Sequence, residues 1–167
     1  VKRALLFVVM VASCTEPVRE KQIQSLGDED PNVPTGIDHR PGQPCLVCHS
    51  EGGPADNKPF VVAGTVYATR ATNAPGAPNV FIRFVDSQGA GPNVDIQTSQ
   101  SGNFAVTPAQ FPDLAFPLKV AIFDSKKNPL QVMETTINRE GSCNFCHDPL
   151  TDDSRTSIGQ IYVGASR

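Results

Sequence analysis

Between residues 60 and 162 apolar side chains come in short runs broken by Gly, Pro, Asn and Ser, and no long stretch shows helical periodicity. The runs predict seven strands, at 61–67, 80–86, 94–98, 104–107, 118–123, 130–137 and 158–163. In the second of these Val80, Ile82 and Phe84 share one face while Arg83 points the other way, and Leu118, Val120 and Ile122 repeat the alternation. The stretch DSKKNP at 124–129 has the composition of a hairpin connection. Short strands separated by frequent turn signals predict a mainly β fold, a single seven-stranded antiparallel β-sandwich.

The chain before this body reads differently. VKRALLFVVMVASC at 1–14 has a basic start in Lys2 and Arg3, an apolar run and a small-residue ending, the pattern of a signal peptide over 1–13. Its apolar run, about nine residues, is too short for the roughly 20 that a spanning helix needs. Val11-Ala12-Ser13-Cys14 resembles the lipobox of bacterial lipoproteins, which implies a lipid-modified Cys14, export, and attachment to a membrane at the periplasm or cell surface. Thr15 stands where Asp would favour inner-membrane retention, so the outer membrane is favoured. Residues 14–38 are charged and proline-bearing with few large apolar side chains, as expected of a flexible tether. The remaining divisions are a first motif segment at 39–59, the strand-rich body at 60–140, and a second motif segment with the last strand at 141–167.

Charge narrows the partners. The chain has 14 Lys and Arg against 17 Asp and Glu, and loss of 1–13 would remove Lys2 and Arg3 and make it more acidic. No basic patch suggests nucleic acid; an acidic surface suits basic partner proteins, with docking that weakens in salt.

The chemistry lies in two short elements, CLVCH at 45–49 and CNFCH at 143–147. Two of only three histidines in the chain thus directly follow a CxxC. That arrangement is what a c-type haem requires: each thiol adds across a porphyrin vinyl group, and the following His ligates the iron. Cys45, Cys48, Cys143 and Cys146 would attach two haem c groups, with His49 and His147 as proximal ligands. With Cys14 assigned to lipid, no cysteine is left over. The competing readings are paired disulfides or a tetrahedral zinc shared by both CxxC pairs. Zinc ribbons bring their pairs together over about 15 to 20 residues, far less than the separation here, and zinc gives no reason for both histidines.

Two irons have four axial positions. Beyond His49 and His147, and with Met10 in the leader, the chain offers one histidine, His39, and one methionine, Met133. His39 lies six residues before Cys45 and Met133 ten before Cys143, reaches of up to roughly 20 and 33 Å. His39 would complete the first site as bis-His and Met133 the second as His/Met, although a solvated His39, a strand-surface Met133 and cross-ligation are open. Methionine raises haem potential relative to histidine, so the sites would differ. Because the motifs bracket the strands, both haems could meet at one pole of a sandwich; opposite poles are the alternative.

AGTVYAT at 63–69, APNVFIRFVDSQG at 77–89 and TSQSGNFAV at 98–106 resemble the carboxypeptidase regulatory-like, transthyretin-type sandwich, with its GxV first strand and its TDxxGxF turn. Asn79 and Ser99 depart from the family's usual residues. The resemblance covers the strand-rich middle and implies scaffolding or binding rather than catalysis. The whole pattern, with Met133 before GSCNFCH, is similar to exported di-haem cytochromes that carry such a module between CxxCH motifs.

The leading expectation is therefore a di-haem electron carrier of the bacterial envelope, not an enzyme, working with redox partner proteins and with self-association as a further option. The alternatives are a haem peroxidase or small-molecule reductase with an open iron, and a haem-bearing binding or sensory module. Glu51 and Asp148 beside the motifs read as solvated loop charges rather than acid–base groups. Gly52-Gly53 and Gly89-Ala90-Gly91 lack the strand-to-helix context of a phosphate loop, and Asp28-Glu29-Asp30 and Asp152-Asp153 lack calcium-loop spacing. Asp148-Pro149 is expected to end the second motif's turn.

Overall fold

Seven strands follow in chain order in the computed structural model, β1 (Val62–Tyr67), β2 (Phe81–Val85), β3 (Val94–Gln97), β4 (Asn103–Val106), β5 (Lys119–Phe123), β6 (Pro129–Val132) and β7 (Ile161–Tyr162). The structure describes residues 16–33, 35–89, 94–149 and 157–164, so the expected leader and Cys14 lie outside the described residues.

The strands form two sheets, ordered β4-β1-β7 and β3-β2-β5-β6. The second is antiparallel throughout: Ile82 sits opposite Ile96 of β3 and Ile122 of β5, and Ala121 opposite Val132 of β6. The mainly β expectation holds, but the fold is not one sandwich of seven antiparallel strands. In the first sheet β4 runs antiparallel to β1, with Val62 opposite Val106, whereas β7 runs parallel to it, with Val66 opposite Ile161. The reason is local. After its last loop the chain meets the start of β1, where Ser142 makes a parallel bridge to Ala63 and the Ala63 amide donates to the Gly141 carbonyl at 2.9 Å. It then travels alongside β1 in the same direction, and the second motif occupies the excursion between the two contacts.

Alternation works as the sequence suggests. On β2 Ile82 and Phe84 are buried while Phe81, Arg83 and Val85 are partly exposed. Ile82, Phe84, Leu118 and Ile122 join Val62, Val66, Phe104 and Val106 of the other sheet in one apolar cluster. Phe84 and Phe104 bridge the sheets with ring centroids 6.0 Å apart. Each such side chain, fully buried, contributes about 1.5–3 kcal/mol, which makes this cluster the floor on which both motif segments rest.

β6 and β7 are shorter than the expected strands at 130–137 and 158–163. Beyond Val132 the Met133 amide still donates to the Val120 carbonyl at 3.0 Å, and an isolated bridge, Ile137 with Leu118, returns the chain to the sheet. The hairpin at DSKKNP closes through the Asp124 carboxylate, which accepts from the Lys126 and Asn128 amides at 2.8 Å each.

Within the segment expected as a tether, Pro17–Ser25 forms helix α1. Proline is tolerated at its first turn because the N–H it lacks would have no helical partner. No residue of α1 is buried; polar contacts hold it. Arg19 donates to the Glu51 carbonyl, and Arg40 donates to the carbonyls of Leu26 at 3.3 Å and Gly27 at 2.8 Å just past the helix end. A guanidinium there also meets the negative end of the helix dipole.

On the outer face of the second sheet Arg83 pairs with Asp95 at 2.7 Å and lies over the Phe123 ring, while Lys127 reaches Asp95 at 2.9 Å and covers Phe81. The Arg83 hydrogen bonds, then the Lys127 contact, hold the Asp95 carboxyl at about 2 against partial burial. Because the folded-state value is depressed, the stabilisation is complete above the unfolded value near 4 and fades as pH falls toward 2. Asp95→Asn should therefore cost about 0.5–1 kcal/mol at pH 7, a difference that narrows in urea denaturation run at pH 4 and then 2.5. A gap that stays constant with pH would contradict the assignment.

Candidate functional site

Each CxxCH element folds as one tight turn. In the first, Cys45–Val47 is a single 3-10 turn, and the His49 amide donates to the Cys45 carbonyl at 3.0 Å. In the second, Cys143–Cys146 is a helical turn (α2), and the His147 amide donates to the Cys143 carbonyl at 2.9 Å. The same bond, from the histidine back to the first cysteine, thus recurs in two segments far apart in sequence.

The histidine rings are oriented alike. His49 Nδ1 donates to the Lys58 carbonyl at 2.8 Å, and His147 Nδ1 donates to the Gly159 carbonyl at 2.9 Å. His39 Nδ1 meets the Gly36 carbonyl. A carbonyl can only accept, so each contact places the proton on Nδ1 and leaves Nε2 with its lone pair, the arrangement that second-shell carbonyls impose on metal-ligating imidazoles. Burial pulls the His147 pKa below its usual value, opposed by the Gly159 hydrogen bond, and so favours the neutral ring.

The thiols are free in all four motif positions. Burial pushes Cys45 up to about 11 and Cys143 up to about 12, and raises Cys48. Cys143 belongs to the apolar cluster itself, whereas Cys146 is exposed. The close fit of α2 on β1 needs Gly64, since a Cβ there would come within 2.8 Å of the Cys143 Cβ and 2.9 Å of the Phe104 ring. Among the described residues no group of three or more His, Cys, Asp or Glu side chains converges. The four sulfurs therefore do not make the tetrahedral set that a shared zinc demands.

Of the two residues expected to lie opposite the motif histidines, His39 stands beside His49, and Met133 lines the same cavity as His147. The His39 ring stands 5.7 Å from the His49 ring, centroid to centroid, with His49 stacked on Phe60 at 4.2 Å on its other side. With metal–imidazole bonds of about 2 Å, two imidazoles on opposite sides of one metal have centroids roughly 6 Å apart, a separation close to that of this pair, whose planes are inclined by 47°. Met133 follows β6 directly and lines a cavity of about 520 Å³ together with Cys143, Cys146 and His147. That volume lies within the 300–1,000 Å³ of cofactor and ligand sites. Its walls are largely apolar, with Val66, Ile82, Phe104 and Ile122 at the base. Val132 and Ile158, each 65% exposed, also line it. Ser142 also lines the cavity, and its hydroxyl is buried with no hydrogen-bond partner among the described residues.

Sequence reasoning missed the residues that bring the motifs together. Thr65, buried on β1, donates to Asn103 Oδ1 at 2.8 Å and accepts from the Gly42 amide at 2.8 Å and from Asn144 Nδ2 at 3.0 Å. Asn103 Nδ2 donates in turn to the carbonyls of Ile37 at 2.9 Å and His39 at 2.8 Å, and the Asp38 carboxylate accepts from the Ser101 amide at 2.8 Å. Asn144 Nδ2 also reaches the Gln43 carbonyl at 2.9 Å. Polar residues inside strands and motifs carry no signature of such bonding.

Compared with protein-family models, with curated proteins and with solved structures, the chain matches none. Among the described residues no helix is long and apolar enough to cross a membrane.

Asn103 is what holds the His39 loop. Asn103→Ala should cost about 1–3 kcal/mol, the penalty of removing the acceptor of the buried Thr65 hydroxyl proton and the donor to the Ile37 and His39 carbonyls. It should also abolish the NMR proximity of the His39 and His49 rings while His147 resonances stay in place. Intact His39–His49 proximity in the variant would assign the loop's position to other contacts.

Proposed function

We propose that the chain is a di-haem c-type cytochrome that passes electrons between partner proteins in a bacterial envelope. The observation that carries the reading is the repeated motif geometry: two CxxCH turns, each with the histidine amide bonded back to the first cysteine and the ring tautomer fixed by a backbone carbonyl. Cys45 and Cys48 would hold one haem and Cys143 and Cys146 the other, with His49 and His39 on the first iron and His147 and Met133 on the second. The haem supplies one-electron chemistry when bound.

The chain's own contribution is position and environment. The Lys58 and Gly159 carbonyls keep Nε2 of each motif histidine available and raise its basicity as a ligand. The apolar walls beside His147 exclude water from the second site, and the shared core of the two sheets serves as a rigid sandwich-like scaffold, as in the carboxypeptidase regulatory-like modules that the sequence resembles. Lipid on Cys14, beyond a leader of residues 1–13, would tether the carrier to a membrane, the outer one being favoured, facing the periplasm or cell surface. Its acidic balance suits basic redox partners.

A second reading, a haem enzyme or sensor with an open iron, is favoured by one observation: Met133 hangs from β6, every residue of which is exposed. Protein made in a host that matures c-type cytochromes separates the two. The expected result is two haems per chain, one after Cys45→Ser with Cys48→Ser, and a reduced spectrum unmoved by carbon monoxide. A shift with carbon monoxide would favour the open-iron reading, and absence of any c-type spectrum would overturn both.

A further inference from the structure

We infer that Asn144 is the positioning residue that makes the two motifs one redox unit, fixing their separation and bridging them by a short bonded route. The inference rests on the two-haem reading above. Asn144 follows Cys143 in the second motif and is 1% exposed. Its Nδ2 donates at 2.9 Å to the carbonyl of Gln43, 101 positions earlier, and that carbonyl is joined through Pro44 to Cys45 of the first motif. The route from one attachment cysteine to the other is therefore the Cys143 backbone, the Asn144 side chain, one hydrogen bond, and the short Gln43-Pro44-Cys45 segment.

The bridge is stiff for a physical reason. Asn144 Oδ1 accepts from the Thr65 amide at 3.1 Å, and Nδ2 donates to Thr65 Oγ1 at 3.0 Å as well as to Gln43. A buried amide satisfied on both ends has a strong penalty for moving, because leaving any partner exposes an unpaired polar group. The proximity of the two segments is independently visible in Pro149, which lies against Gly42 closely enough that a Cβ on Gly42 would sit 2.6 Å from its ring. Charge on Cys45 also adds, after burial, to the upward shift of Cys143.

With both haems bound, the step that Asn144 would serve is transfer of a single electron, one site being oxidised as the other is reduced, with no proton moved and no bond made or broken. Electronic coupling decays more slowly through covalent and hydrogen bonds than across a gap, so a bonded bridge between the attachment cysteines favours that exchange. An isosteric apolar residue would keep the packing and remove the bridge.

Asn144→Leu tests this in two forms of the full chain. In the haem-free protein, amide hydrogen exchange at Val47, Cys48 and His49 should rise about tenfold while the β4 amides and the β1 amides other than Thr65, whose own acceptor is Asn144, hold. In the haem-loaded protein, haem content should stay at the wild-type value while the rate of electron exchange between the two sites falls several-fold. Asp95→Asn, on the outer face of the second sheet where it pairs with Arg83 and Lys127, should leave that rate near wild type. An unchanged exchange rate in Asn144→Leu with both haems present overturns the bridge. Equal loss of protection in β1 and β4 would reduce Asn144 to a fold-stabilising residue, and unchanged protection at 47–49 would end the positioning role even in a chain that carries no haem. Failure of the two-haem reading itself would show separately, as a wild-type chain without a c-type spectrum.

Discussion

A buried hydroxyl governs the arrangement of this molecule. Thr65 is fully enclosed on β1, and in that environment each of its polar atoms must find a partner or impose a cost of about 1–3 kcal/mol. The partners come from three places: Asn103 on the neighbouring strand, Gly42 ahead of the first motif, and Asn144 inside the second. Apolar packing alone would let either segment slide along β1 at little cost, since dispersion and burial have no direction. Hydrogen bonds do have direction, and one set of them specifies where both motif segments sit.

The same strand explains why the two sites are unlike each other. The first motif approaches β1 through loops, and its histidine pair is supported by Phe60 and by the Asn103-held loop. The second lies within an excursion between two parallel contacts to β1, which presses Cys143 into the core and opens a large apolar cavity under Met133. A parallel pairing needs a connection that carries the chain back along the strand; here that crossing segment is the one bearing the motif. One strand thus presents a loop-built site and a core-built site.

Much of this was legible in the sequence, and the divisions follow from physics. Short apolar runs broken by turn residues located all seven strands, and a period of two marked the buried face of β2, whereas β1, buried at five consecutive positions, and β6, exposed throughout, carry no such period. The pattern did not give the direction of β7, since parallel and antiparallel partners share it. Nor did it find α1, whose residues are all partly or fully exposed and which is held by Arg19 and Arg40 rather than by an apolar face. Within the site, the spacing of CxxCH and the scarcity of other ligands singled out His39, whose ring lies 5.7 Å from that of His49, and Met133, which lines one cavity with Cys143, Cys146 and His147. Thr65, Asn103 and Asn144 stayed invisible because a buried amide and an exposed one look alike in a sequence.

The asymmetry bears on the direction of electron flow under the two-haem reading. A thioether ligand raises the potential of a haem relative to a second imidazole. Low-dielectric surroundings act in the same sense wherever reduction lowers the charge on the site, because burial penalises the more charged oxidised form. Both effects would fall on the second motif if Met133 and His147 share an iron, since both line the cavity with Val66, Ile82 and Phe104. The first motif would then have the more basic ligand pair. Under that reading electrons would enter at the His39–His49 side and come to rest on the Met133 side, at the cavity built against the core.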